Sequence, residues 1–418
     1  MNTQSIKFKL TVFNFLEFFV FGAWLLSFAK YMFSTLHFSG SQIGSVFLTL
    51  GLASLVMPGV MGVIADKWLS PNKLFALSHL IGAVFLVLLA REHTYNGVFW
   101  MTFLYLMFYM PTIALDNTIS YCILTKNGLD VVKSFPPIRV WGTIGFIIAT
   151  WITDLMGWGT VATQFYFAAA VSVALALFTF TLPDCPPDRS SEKTLAQALG
   201  LDALALLADW KMFLFFFFSM LLGAALQITN MWGETYLDNF KNIPEYAHTF
   251  IVEHNGVVMS LSQISETIFI LTIPFFLKRF GIKTVMLMSM LAWFLRFGLF
   301  AVGSPVGLGA VAIILSMIVY GMAFDFFNIS GSLFVEKEVD PKIRASAQGL
   351  FMIVTNGIGA MIGAKLSGLV VDMYRDGNTV DWFKVWGIFA LYALVIAILF
   401  ALLFRYKHKP EENFAVQH

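Results

Sequence analysis

The chain has 418 residues, 58% hydrophobic and only 12% charged, with a formal net charge of +1. Its mean hydropathy of +0.78 excludes an ordinary soluble domain, and the balanced charge gives no basis for a nucleic-acid partner. There is no GxxxxGK[ST] phosphate loop, HExxH or CxxC, so neither ATP hydrolysis by the usual route nor a metal site or other cofactor is expected.

A membrane span needs roughly 20 apolar residues. Hydropathy predicts twelve, at about residues 9–34, 42–64, 72–90, 97–123, 137–158, 161–182, 212–236, 256–277, 281–302, 308–334, 346–372 and 383–404. The fold class expected is therefore an all-α membrane protein. The first span is too long for a cleavable signal and lacks a small-residue cleavage site. The second ends in Gly62-Val-Ile-Ala-Asp66-Lys67, a partial match to the GxxxD(R/K) signature of the major facilitator superfamily.

Span four carries Asp116 and Asn117-Thr-Ile-Ser120, and ends near Cys122. Cys122 and Cys185 give no disulfide or metal framework by spacing and read as small apolar fillers. Span five opens with Pro137-Ile-Arg139. After span six comes the longest hydrophilic stretch, from about Pro183 to Lys211. Six spans (1–182), a cytoplasmic linker (183–211) and six more (212–418) are the plan of two parallel halves. Asn328-Ile-Ser330 in span ten echoes Asn117–Ser120, and Ile343-Arg344 before span eleven echoes Ile138-Arg139.

Of the 26 Lys and Arg, eighteen fall on inner segments and span ends if the N-terminus is inside. Six fall outside, among them Lys30 and Arg296, and Arg139 and Lys365 lie within spans. The bias predicts both termini in the cytoplasm of a bacterial inner-membrane protein.

Glu17, Asp116, Glu234, Glu266 and Asp325 also lie within spans. An unpaired charge costs several kcal/mol at mid-bilayer, so these residues require a polar or paired interior, which points to a transporter. Asp116 and Glu234 lie nearer span ends, where solvation or capping is an equal explanation. Lys365, among Gly357, Gly359, Gly363 and Gly368, reads as a snorkelling or paired cation. The glycines read as close-packing positions.

Helical spacing gathers the remaining polar residues into faces. Arg139, Thr143 and Phe146 share one face of span five. Gln227 pairs with Asn230 on span seven and Gln263 with Glu266 on span eight. Tyr320, Phe324 and Phe327 line span ten, with Asp325 one step aside. Amides, a donor fork, carboxylates and stacking rings suit a flat, polar, neutral ligand with hydroxyls, either a nucleoside or a sugar. A proton-coupled sugar permease would use the same parts. A membrane-embedded enzyme is a weaker alternative, because no nucleophile–base or metal-ligand pattern is present.

The most distinctive stretches are Phe135-Pro-Pro-Ile-Arg-Val-Trp-Gly-Thr-Ile-Gly-Phe146, Leu226-Gln-Ile-Thr-Asn230, Ser262-Gln-Ile-Ser-Glu266, and Ser316-Met-Ile-Val-Tyr320 continuing through Phe324-Asp-Phe-Phe-Asn-Ile-Ser-Gly331. Through them the sequence resembles the bacterial nucleoside:proton symporter family of the major facilitator superfamily, over almost its whole length. The resemblance implies twelve helices, alternating access and proton-driven nucleoside uptake, with nucleoside, protons and the lipid bilayer as partners. It implies that Arg139, Thr143, Phe146, Gln227, Asn230, Gln263, Glu266, Tyr320, Phe324 and Asp325 match binding-site positions, with Glu266 and Asp325 the candidates for proton coupling. Glu17 departs from the Gln of the family pattern, and Asp116 and Lys365 are unusual in it.

Overall fold

The computed structural model describes residues 3–187 and 201–406. The predicted linker residues Asp188, Arg189, Glu192 and Lys193, and the tail residues Lys407 and Lys409, lie outside the described residues. The chain forms two compact units. The first comprises Met1–Leu199 with Asn230–Thr235, and the second Gly200–Thr229 with Tyr236–His418.

The first unit holds helices α1 (Thr3–Gly22), α2 (Leu25–Ser34), α3 (Gly40–Lys67), α4 (Pro71–Leu89), α5 (Tyr95–Lys126), α6 (Val131–Leu155) and α7 (Thr163–Thr179). Polar side chains set their starts. Ser39 and Gln42 form a capping box at α3, Thr94 caps α5 and Asp130 caps α6, satisfying amides that the first turn leaves free. The predicted first span is two helices, broken at residues 23–24. At the break, Thr150 and Thr153 of α6 donate to the carbonyls of Gly22 (3.2 Å) and Ala23 (2.9 Å). The backbones of α1 and α6 touch. A Cβ on Gly22 would lie 2.4 Å from the Phe146 carbonyl oxygen, and one on Gly145 2.2 Å from that of Phe15.

Cys122 and Cys185, expected to be fillers, are brought together as a disulfide pair. Sequence spacing hides this because the chain leaving α7 folds back onto α4 and α5. There Asn72 donates to the Pro183 carbonyl (3.2 Å) and accepts from the Cys185 amide (3.1 Å), while Lys126 donates to the Asp184 carbonyl (3.0 Å).

The second unit is built on α8 (Trp210–Asn239), of which six residues belong to the first unit, α9 (Asn255–Ala301), α10 (Gly307–Glu338), α11 (Arg344–Met352), α12 (Ala360–Met373) and α13 (Trp382–Leu403). Predicted spans eight and nine run together in α9, which turns at Gly281 (φ 76°), a conformation that favours glycine. Span eleven is α11, a π-helical segment Ile353–Gly359 and α12. The wide segment lets α8 come close. A Cβ on Gly223 would meet the Thr355 carbonyl oxygen at 2.0 Å, and one on Gly359 that of Met220 at 2.3 Å. Gly363 packs likewise on Ala224, so Gly359 and Gly363 are close-packing glycines as predicted. A two-residue antiparallel hairpin pairs Arg375 with Val380 and Asp376 with Thr379.

Among the described residues, ten helices are long and apolar enough to cross a membrane, and α7 is a shorter apolar one. The molecule is nearly all helix, as its composition requires.

Candidate functional site

In the first unit the predicted residues Arg139, Thr143 and Phe146 lie half-buried along α6. Gly142 leaves room for the Arg139 guanidinium beside Phe18: its carbon sits 3.8 Å from the centre of that ring, a cation–π contact. Phe146 meets Phe21 edge-on at 6.3 Å, and Phe21 stacks on Tyr109 at 5.1 Å. Asn230 is half-buried on the part of α8 that belongs to this unit.

Glu234, placed by the sequence near a span end, is instead buried with Lys30, which had been counted among the outer cations. Lys30 Nζ lies 2.9 Å from Glu234 Oε2, with side chains 5% and 2% exposed. Two charges out of water hold together only when paired, and hydropathy does not reveal that pairing. Asp116 is likewise fully buried, not solvated, and neither of its oxygens has a hydrogen bond.

Glu17 is also fully buried and fully engaged. Its Oε2 is 2.8 Å from His79 Nε2 on α4, and its Oε1 accepts from the Thr112 hydroxyl of α5 at 2.7 Å. Behind His79, Nδ1 is 2.9 Å from Ser172 Oγ on α7. The sequence reading missed His79. A lone imidazole within a hydrophobic span was the available signal.

In the second unit, Gln227 is buried on α8, and Gln263 and Glu266 are half-buried on α9. A Cβ on Gly321 would lie 2.6 Å from the Ser265 carbonyl, so α10 meets α9 at the residue before Glu266. That approach brings Glu266, Tyr320 and Asp325 into electrostatic range of one another. Tyr320 and Phe324 stack at 6.2 Å, and Trp293 meets Tyr320 edge-on at 5.9 Å. Phe324, Phe327 and Asn328 line a small cleft with Leu226, Trp293 and Thr355. Gln227 Nε2, Gln263 Oε1 and Asp325 Oδ2 are buried atoms with no protein hydrogen bond.

Arg296, also counted as an outer cation, is fully buried in this unit. Its Nε donates to Thr229 (3.0 Å), and its Nη1 to Ser262 (3.2 Å) and the Ser316 carbonyl (2.8 Å). The guanidinium lies over the Tyr320 ring at 4.5 Å. The predicted span 281–302 contained it, so its depth was readable. Lys365 is half-buried on α12.

Long apolar helices that bury an ion pair in one unit, and unpaired amide atoms beside stacked rings in the other, have the make-up of a membrane transporter. Comparison with known proteins narrows this class. The chain belongs to the nucleoside H+ symporter family, which matches residues 4–409. It is 52% identical to the nucleoside permease NupG of Escherichia coli (strain K12) over 406 residues, 97% of each chain. It is 49% identical to the xanthosine permease of the same organism over 410 residues, 98% of each. A crystal structure of a mutant nucleoside transporter NupG superimposes with a TM-score of 0.94 at 51% identity, covering 96% of this chain and all of that one. An inward-facing bacterial homologue of the lysosomal transporter Spinster shares the fold at a TM-score of 0.70 and 12% identity.

Proposed function

We propose that this protein takes up nucleosides together with protons across the bacterial inner membrane by alternating access. Twelve spans in two six-helix halves are counted by taking α9 as two helices that meet at Gly281 and α7 as a short span. The excess of Lys and Arg on the segments taken as inner supports a cytoplasmic position for both termini. The many outward apolar side chains, such as Leu271 and Leu308 at 80% and 89% exposure, suit contact with lipid.

Nucleoside binding is assigned to Arg139, Thr143, Phe146, Gln227, Asn230, Gln263, Glu266, Tyr320 and Phe324. The observation that carries this reading is the combination, within the second unit, of two amides with unsatisfied buried atoms and the stacked Tyr320–Phe324 pair. Rings stack on a nucleobase, and amides match its edge with donors and acceptors. Glu266 and Asp325 are the proton-coupling candidates, since two carboxylates in mutual electrostatic range titrate as a pair, so that a proton taken up by one is felt by the other.

Equilibrium binding to the purified protein tests the assignment. Uridine, adenosine or xanthosine should displace labelled uridine, and lactose should not. Equal or stronger displacement by lactose would reassign the site to a sugar.

A further inference from the structure

The Glu17–His79 contact lies in the first unit, and neither residue is among those assigned to nucleoside binding. Both side chains are buried, at 0% and 2% exposure for the residues. The hydrogens around it can be counted. Ser172 has one hydroxyl hydrogen, and the His79 carbonyl, 3.0 Å from Ser172 Oγ, can only accept it. His79 Nδ1 is then the donor to Ser172 Oγ at 2.9 Å. The 2.8 Å contact between Nε2 and Glu17 Oε2 needs a hydrogen of its own. In that arrangement the pair holds a proton on Nδ1 and another between Nε2 and Oε2. Whichever partner formally owns the second, the pair as a whole is neutral.

Loss of one proton is accommodated without moving a heavy atom. Nδ1 gives up its proton to water, and Ser172 turns its hydrogen from the carbonyl to Nδ1. Nε2–H stays on the Glu17 carboxylate. The Ser172 hydroxyl thus has two acceptors, one for each proton content, while the Thr112 hydroxyl lies 2.7 Å from Glu17 Oε1 and 2.6 Å from the Tyr109 carbonyl.

Release leaves a net charge of −1, which the surroundings register. The titratable groups that face the pair are Tyr105, Tyr109 and Asp116 of α5, with Arg139 of α6 behind the last two, while α7 contributes the Ser172 hydroxyl. Glu17 is in electrostatic range of Tyr105, Tyr109 and Asp116, and Arg139 of the last two. The connection to the nucleoside residues is short. Tyr109 donates to the Glu17 carbonyl at 3.0 Å and stacks on Phe21, which meets Phe146. Arg139 itself lies over Phe18, the neighbour of Glu17.

We propose that Glu17 and His79, with Ser172 as the switching donor, form a proton-binding site in the first unit whose proton travels with the nucleoside, in addition to the Glu266–Asp325 site. The inference rests on the symport reading. Because the pair is buried here, its exchange with water belongs to other conformations of the transport cycle.

Proteoliposomes with a trapped pH dye and labelled uridine give the ratio of protons to uridine entering. That ratio is independent of how active each preparation is. Glu17→Gln and His79→Gln should lower it by about one proton per uridine. Ser172→Ala keeps the pair but removes the switching hydroxyl, and should shift the pH midpoint of uridine uptake. It is conservative enough to report if the other two variants fail to fold. An unchanged ratio in the first two, or an unchanged pH profile in Ser172→Ala, would mean the pair is a fixed internal hydrogen bond. Wild-type uridine entry without protons would instead overturn the symport reading itself.

Discussion

Arg296 lies over Tyr320, its guanidinium carbon 4.5 Å from the ring centre, and is tied by hydrogen bonds to Thr229, Ser262 and the Ser316 carbonyl. One buried cation thus joins α8, α9 and α10 behind an aromatic ring assigned to nucleoside binding. Hydrogen bonds to a charged group contribute about 1.5–3 kcal/mol each, although not additively. Arg296→Gln should therefore cost at least about 2 kcal/mol of stability and weaken nucleoside binding. Arg296→Lys should recover only part, since an ammonium cannot supply the planar fork. Thermal unfolding in detergent, run beside uridine binding, checks this; a wild-type Tm in Arg296→Gln would refute it.

The amides are the next test. Gln227→Ala or Gln263→Ala should leave ligand groups unpaired at about 1–3 kcal/mol each, roughly a five- to hundred-fold loss of affinity. Unchanged binding in both variants, with normal folding, would make these amides bundle glue.

One substitution should have opposite signs at two glycines. Gly223→Ala places a Cβ 2.0 Å from the Thr355 carbonyl oxygen, and overpacking of this kind costs about 1–3 kcal/mol. Gly298→Ala meets nothing within 4 Å and should stabilise its helix by about 0.5–1 kcal/mol. Melting temperatures that move in the same direction would contradict the close α8–π-segment packing.

How much of this was legible in the sequence depends on the kind of interaction. Helical character and the apolar spans were, because lipid forces long hydrophobic runs. So were Gly359 and Gly363, because small residues at helical spacing have one common use in membranes. Helical spacing also put Tyr320 and Phe324 on one face, where they stack. What stayed hidden depended on partners far along the chain. Lys30 looked like an outer cation until Glu234 was found 2.9 Å away. For Asp116, solvation or capping was an equal explanation because its position in the span, not its neighbours, was all that could be read. Cys122 and Cys185 are 63 residues apart, and no local pattern records their meeting.

Asp325 offers a direct test of coupling in the second unit. Asp325→Asn preserves shape and most hydrogen bonding but removes titration. Concentrative uptake should be lost, while counterflow, which needs no proton gradient, continues. Protonophore-sensitive accumulation at the wild-type level would place the coupling proton elsewhere.

The central claim is that nucleoside entry is driven by protons. Its most direct measurement is labelled uridine accumulation in proteoliposomes under an imposed inward proton gradient, with and without a protonophore. Uridine should concentrate above the external level, and the protonophore should reduce this to simple equilibration. Equilibration alone with the gradient intact, or accumulation that ignores the protonophore, would contradict proton-coupled transport.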